Sequence, residues 1–284
     1  MLADAARSYL NSLQTGHSLI ETGIGDLDYA LGGGIERGEL VIFAARPSHG
    51  KSAVALQCVH AWTRQGMPCA IISEEMSAIA LGKRTLQFVT AAPQEHWRGL
   101  SDQLGREIDA YAATRAPAIV LEGCGDAATA AASIEAAIAR HKVECVVVDY
   151  AQLLRGTGKT RYEQMTQVSV TLRQLASKHR LIVLALCQMN RDIESRSTFK
   201  PTMSDIRETG QFEQDADVIV FLCWPYRIDQ TAPQSRYQFF IEKNRNRPIN
   251  QRMVDCSFNP SRQTVSAPQI ECPFDQEQPA WQRQ

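Results

Sequence analysis

Hydrolysis of a nucleoside triphosphate requires a phosphate cradle, a metal ion, a positioned water and charge neutralisation on the γ-phosphoryl group. The chain holds candidates for all four. The octapeptide Ala45-Arg46-Pro47-Ser48-His49-Gly50-Lys51-Ser52 directly follows the apolar run Leu40-Val41-Ile42-Phe43-Ala44. Such a loop turns backbone N–H groups around a phosphate; its lysine adds positive charge beside the β and γ phosphates, and its serine hydroxyl can ligate Mg2+. The octapeptide departs from G-x-x-x-x-G-K-[ST] at Ala45, where a glycine is expected, so the backbone there must suit a residue with a Cβ. Asp149 ends the run Val146-Val147-Val148 and can hold the metal beside Ser52. Glu74 and Glu75 end the run Ala70-Ile71-Ile72-Ser73, and either can act as general base on the attacking water. Gln188 closes a further apolar run, from which its amide can reach a γ-phosphate. Lys243 and Arg245 differ in kind. A basic pair in a turn so far along the chain is poorly placed for its own phosphate loop and can serve a neighbour's, as arginine fingers do in trans. Each residue also has a plainer reading: a turn carboxylate for the acids, a backbone-bonded amide for Gln188, a solvated basic turn for the pair.

These residues need a scaffold that delivers strand ends to one place. Apolar runs at 40–44, 68–73, 118–121, 144–150 and 181–187 read as buried strands, and amphipathic spacing at 53–64, 78–90, 101–114, 127–140 and 160–179 reads as helices. Near-continuous apolar strands alternating with helices predict an α/β fold with a mostly parallel sheet covered on both faces. Carboxylates at the C-terminal ends of such strands lie where open α/β sheets bind ligands. The polar stretch 191–214 reads as loops broken by short helical turns. Strands at 216–223, 237–242 and 252–258 follow, the last two joined through Lys243-Asn244-Arg245-Asn246-Arg247-Pro248-Ile249-Asn250 as a C-terminal β-hairpin. Residues 22–34 predict a short helical turn ending in glycines. At the N-terminus, Leu2, Ala6, Tyr9, Leu10 and Leu13 mark a short helix with one apolar stripe, which needs a surface to dock on.

The 284 residues, 44% hydrophobic and 21% charged, suit one large domain with short appendages. A formal net charge of -1 supplies no global attraction to nucleic acid, so any such contact must come from a local basic patch. Eight cysteines without a C-x-x-C pair, several inside apolar runs, indicate reduced structural thiols in a cytoplasmic protein. No apolar run reaches bilayer length and the N-terminus has no signal-peptide pattern.

Six segments, in order and spacing, carry a family resemblance far more specific than the phosphate loop alone. They are A-A-R-P-S-H-G-K-S at 44–52, S-E-E-M at 73–76, V-V-V-D-Y-A-Q-L-L at 146–154, C-Q-M-N-R-D-I-E-S-R at 187–196, S-D-I-R-E-T-G-Q-F-E-Q-D-A-D at 204–217 and E-K-N-R-N-R-P at 242–248. The chain resembles the C-terminal motor domain of the DnaB-family replicative helicases, within the RecA-like P-loop ATPases, from about Thr22 to about Phe258. That family often has A-R-P-S where Ala45 stands. The resemblance implies a catalytic role for Glu75, the acid directly before Met76, although the family more often has a hydrophobic residue at the position of Glu74. It implies Mg2+ association for Asp149 with Ser52, γ-phosphate sensing for Gln188, and a reach to the next subunit's nucleotide for Lys243 and Arg245. Arg207, Glu208 and Gly210 match the family's channel loop, which holds the single-strand DNA backbone.

The same resemblance implies an ATP-driven DNA helicase motor, assembled as a ring, most simply a hexamer. It would act on single-stranded and forked duplex DNA, with primase or a helicase loader as further partners. Residues 1–17 resemble the family's linker helix, 18–267 the motor domain, and 268–284 form a tail. The family's N-terminal helical domain has no counterpart in this sequence, so a motor-domain fragment or a short phage or mobile-element form is expected. The alternatives are a RecA-like recombination or repair ATPase and an ATP-switched assembly protein without helicase activity.

Overall fold

A computed structural model of the chain describes residues 19–196, 199–206 and 210–267, together with Asp4, Arg7, Leu10 and Asn11. The four isolated N-terminal residues are helical and Leu10 is exposed; the rest of the expected linker helix, Arg207, Glu208 and the tail from 268 lie outside the described residues.

A short antiparallel pair, β1 (Leu19–Ile20) with β2 (Ile35–Glu36), flanks α1 (Gly25–Ala30). The main sheet has a parallel part comprising β3 (Leu40–Ala45), β4 (Cys69–Ser73), β5 (Ala118–Glu122), β6 (Cys145–Asp149), β7 (Ile182–Gln188) and β8 (Val218–Cys223). Its antiparallel extension comprises β9 (Arg236–Asn244), β10 (Met253–Asn259) and β11 (Thr264–Ser266). Among the described residues these nine strands lie in the order β11-β10-β9-β8-β3-β7-β6-β4-β5.

The strands expected from apolar runs form because side chains alternate between two buried faces. In β3, Val41, Phe43 and Ala45 enter one core while Leu40, Ile42 and Ala44 enter the other. The first core is roofed by α1 and by α2 (Lys51–Arg64), whose Trp62 is fully buried; α3 (Ala78–Val89) adds Leu81. A further helix, α4 (Ser101–Ala113), packs against α3. The second core is covered by α5 (Ala127–His141), α6 (Arg161–His179) and α7 (Gln211–Asp215). A capping box fixes the start of α6: the Thr160 hydroxyl accepts from the Glu163 N–H while the Glu163 carboxylate accepts from the Thr160 N–H.

The long strands and helices expected from the sequence appear within two residues of their predicted ends. The polar stretch 191–214 contains 3-10 turns at Arg191–Ser195 and Met203–Asp205. The short pair β1–β2, the edge strand β11 and the 3-10 segment Gln94–Leu100 carry no periodicity long enough to predict. Seven cysteines, 58, 69, 124, 145, 187, 223 and 256, are free and buried, as expected for structural thiols. No helix among the described residues is long and apolar enough to cross a membrane.

Two buried histidines set a pH dependence. His60 on α2 stacks on Phe88 at 4.1 Å between ring centroids and bonds the Tyr111 hydroxyl through Nδ1. His49 accepts the Trp224 N–H at Nδ1. Burial lowers their pKa values to about 3 and about 4 respectively. In the unfolded chain both take up a proton near pH ~6.5, so the stability they contribute is full above that pH and is lost as pH falls toward their folded values. Burial raises the Asp28 carboxyl to about 6, with the opposite effect below that pH. With two imidazoles against one carboxyl, the melting temperature should be lower at pH 5 than at pH 7. His60→Gln should make that drop smaller whatever it does to absolute stability; an unchanged slope would contradict the assignment.

Candidate nucleotide site at the C-terminal edge of the sheet

β3 lies between β7 and β8, all three parallel, so the loop after Ala45 emerges beside the ends of both neighbours. Ala45 is the last residue of β3, in extended conformation, which explains why a Cβ is tolerated where the usual pattern has glycine. The left-handed positions fall later, at Ser48 (φ 64°) and Gly50 (φ 80°). Gly50 is doubly required, since a Cβ there would lie 3.3 Å from the Tyr237 hydroxyl. Tyr237 is fully buried beneath the loop and donates its hydroxyl to the His49 carbonyl at 2.6 Å. Lys51 then opens α2, whose first turn carries no acidic residue and no side-chain cap, leaving N–H groups that can receive an anion.

The loop borders a cleft of about 280 Å³ lined by Arg46, Ser48, Lys51, Ser52, Glu75 and Gln188, with Arg84 and Tyr150 completing it. Thus the strand ends of β3, β4, β6 and β7 bring together the phosphate loop, Glu75, Asp149 and Gln188. Burial lowers the pKa of the Lys51 ammonium, while the neighbouring charges of Asp149 and Glu75 favour its cationic form. The Lys51 Nζ lies 4.3 Å from the centroid of the Tyr150 ring, which holds the side chain over an aromatic face. Asp149 is buried, and its Oδ1 meets no hydrogen-bond donor among the described residues. An orphaned buried carboxylate oxygen is costly unless something pairs with it, and a divalent cation shared with the Ser52 hydroxyl fits that need. Asp149 and Tyr150 are joined by a cis peptide bond.

The adjacent acids Glu74 and Glu75 separate cleanly. Glu74 turns away and accepts the backbone N–H groups of Cys124 at 2.8 Å and Gly125 at 3.2 Å, tying the end of β4 to the loop before α5. Glu75 lines the cleft. Gln188 also lines it, while its backbone is gripped by Gln152, whose amide oxygen accepts the Gln188 N–H at 3.0 Å and whose amide nitrogen donates to the Gln188 carbonyl at 3.2 Å.

The basic pair is placed elsewhere. The predicted turn begins later than expected: β9 continues through Lys243 and Asn244, because these pair with Ile219 and Val218, and the Arg245 N–H bonds the Asp217 carbonyl. Lys243 therefore sits at the N-terminal end of β8, about 10 Å of strand from Leu222, which pairs with Ala45. It is not a solvated tip. The Lys243 ammonium donates to the Glu213 carbonyl at 2.6 Å, and Arg245 donates to the Gln214 carbonyl at 2.6 Å and to Asp217. Neither residue lines the cleft of its own chain. Of the expected channel loop only Gly210 is described; it is exposed, with φ -70° and open space where a Cβ would be.

Arg84, Tyr150 and Gln152 belong to the site without standing out in the sequence. Burial lowers the Arg84 pKa while the charges of Asp149 and Glu75 favour its cationic form, which places this guanidinium among the acids of the cleft. Nothing in its spacing marks it, since it stands beside Lys83 with Gln87 three residues on.

A phosphate loop on the central strand of a parallel sheet, with an acid, an amide and a carboxylate at the ends of neighbouring strands, defines a RecA-like P-loop NTPase fold. Within that class the chain belongs to the DnaB-like helicase C-terminal domain family, whose family model matches residues 20–265. It is 34% identical over 245 residues to the replicative DNA helicase DnaB of Geobacillus stearothermophilus, an alignment covering 81% of this chain and 53% of that protein. It is 31% identical over 221 residues to a probable plasmid replicative DNA helicase of Chlamydia trachomatis, covering 75% and 47%. The chain thus spans about half the length of these relatives. In fold it is similar to a solved ATPase domain, with TM-score 0.84 and 24% identity over 94% of this chain and 99% of that one. A KaiC-like protein of Pyrococcus horikoshii shares the fold more distantly, with TM-score 0.63 and 14% identity over 87% of this chain and 97% of that one.

Two substitutions test the geometry. Glu74→Ala should lower stability by about 1–3 kcal/mol, because it strands two backbone N–H groups, and should leave nucleotide affinity within about twofold. Arg84→Ala should slow hydrolysis by about tenfold or more with a smaller effect on nucleotide affinity. Thermal unfolding, binding of a fluorescent nucleotide and phosphate release measure all three quantities.

Proposed function

We propose that the chain is the ATP-hydrolysing motor of a ring-forming replicative DNA helicase, moving along single-stranded DNA and separating a forked duplex. The observation that carries this reading is a division of the site. Lys51, Ser52, Glu75, Asp149 and Gln188 converge at one edge of the sheet, while Lys243 and Arg245 stand at the other. Both sets are needed only if a second copy brings its basic pair to this cleft. A ring, most simply a hexamer, provides that arrangement for every subunit.

In the proposed reaction, residues 45–52 wrap the triphosphate and Lys51 neutralises the β and γ phosphates. Ser52 and Asp149 would hold Mg2+, which would supply charge stabilisation to the phosphates. Glu75 takes a proton from the attacking water, and Gln188 bonds the γ-phosphoryl group and loses that contact on its departure. Arg245 and Lys243 from the next subunit stabilise the charge that develops in the transition state. Arg207, Glu208 and Gly210 face the central channel and hold the DNA backbone, and the N-terminal segment docks on an adjacent subunit. Primase or a helicase loader is a further partner. Support for that comes from a solved structure of similar fold, that of a DnaB-like replicative helicase and its interactions with primase.

The test is hydrolysis with and without single-stranded DNA, followed by unwinding of a forked duplex. Stimulation by DNA with strand separation is expected; hydrolysis indifferent to DNA, without unwinding, would remove the helicase reading. Glu75→Gln should reduce turnover by about a hundredfold or more while retaining nucleotide binding. Mixing Arg245→Ala subunits with Glu75→Gln subunits, each inactive alone, should recover part of the hydrolysis. No recovery at any ratio would mean that the basic pair does not act across subunits.

A further inference from the structure

β7 outruns β6. The two strands pair from Cys145 with Ile182 to Val148 with Ala185, whereas on its other side β7 stays paired with β3 as far as Ala45 with Gln188. Beyond Asp149 the chain leaves the sheet and turns through the 3-10 segment Ala151–Leu153. The last residues of β7 therefore have no strand on the β6 side, at the point where Gln188 enters the cleft.

Gln152 fills that gap with its side chain. Its carboxamide accepts the Gln188 N–H at 3.0 Å and donates to the Gln188 carbonyl at 3.2 Å, so both main-chain groups of Gln188 are paired. A peptide on a neighbouring strand would offer the same acceptor and donor, and a carboxamide is the neutral side-chain group that carries the two on one carbon. The next residue turns to the opposite neighbour: the Met189 N–H donates to the Ala45 carbonyl at 3.0 Å. The end of β7 is thus held from both sides. Gln152 is itself firmly seated. It is only 4% exposed, its own carbonyl accepts from the Arg161 guanidinium at the start of α6, and Ala151 and Leu154 beside it are buried in the second core. It stands behind the cleft and does not line it.

We propose that Gln152 is a positioning residue for hydrolysis: its carboxamide supplies the missing rung of the sheet and so fixes the backbone from which the Gln188 side chain meets the γ-phosphoryl group. This rests on the proposed function, in which Gln188 makes that contact. Without the rung, two backbone groups at the strand end lose their partners, and the main chain loses its fixed direction at the residue that carries the amide. Displacing a group at a reacting centre by about 1 Å can cost about a hundredfold in rate. The phosphate loop hangs instead on β3 and on the Tyr237 hydroxyl, so nucleotide binding does not depend on the rung. The effect falls on turnover.

The test is a double-substitution cycle on the full chain, read by ATP turnover and by binding of a fluorescent ATP analogue. It combines Gln152→Met, of similar length but without the donor and acceptor, with Gln188→Ala. Gln152→Met should lower kcat about tenfold or more and shift nucleotide affinity by less than about threefold. In a chain already carrying Gln188→Ala, adding Gln152→Met should change kcat by less than about twofold, because the residue acts through Gln188. A purely structural role would lower kcat by the same factor in both backgrounds. That result, or a native kcat in Gln152→Met, overturns the proposal while the functional reading stands. Native turnover in Gln188→Ala alone overturns instead the contact with the γ-phosphoryl group from which the inference starts. Should Gln152→Met fail to fold, Gln152→Glu decides. Its ionised carboxylate sets a negative charge against the Gln188 carbonyl, whereas the protonated acid again has a donor and an acceptor. Its kcat relative to the native value should rise as pH falls from about 8 to about 5.5, and should not rise in the Gln188→Ala background. A flat ratio, or the same rise in both backgrounds, overturns the proposal.

Discussion

Parallel pairing of β3 with β7 on one side and β8 on the other is the constraint on which the site depends. Parallel strands finish at the same edge, so four chain segments far apart in sequence deliver their next residues to one place. Each strand is buried on both faces, and a shift of register would carry its whole side-chain set into the wrong core. The positions of Lys51, Asp149 and Gln188 relative to one another are thus set by the hydrophobic packing of the strands and helix that carry them. The cleft is shaped before anything enters it.

Its electrostatics are those of an unfinished assembly. Two cations, Lys51 and Arg84, are held partly out of water, and the charges of Asp149 and Glu75 favour their charged forms. Asp149 keeps an oxygen without a donor among the described residues. The nucleotide and divalent cation of the proposed function would offset these costs, since each would meet a group of opposite charge already stripped of solvent.

The fold and most of the cleft residues are legible in the sequence because their signals are local. Uninterrupted apolar runs mark doubly buried strands, and Gly50-Lys51-Ser52, Asp149 and Gln188 stand at or just beyond their ends. The choice of Glu75 over Glu74 is not legible from the residues themselves, because it turns on which carboxylate meets the Cys124 and Gly125 N–H groups, far onward in the chain. The family resemblance favours Glu75, and Glu75 is the acid of the two that lines the cleft. Arg84 and Gln152 have no spacing to betray them: each is an ordinary polar residue whose meaning comes from a contact across the sheet edge. The hairpin is legible, but the seating of its basic pair is not, since nothing in the local pattern reveals that α7 ends with its carbonyls beneath Lys243 and Arg245.

One strand joins two ends of the molecule. At Tyr237, β9 props the phosphate loop of its own chain; further on, at Lys243, it carries the first of the two basic side chains that stand apart from that chain's cleft. Pairing with β8 and β10 makes this stretch, about 20 Å long, a stiff beam rather than a tether. In the proposed ring, the strand that props the phosphate loop of one subunit is thus the strand that would present its basic pair to the next.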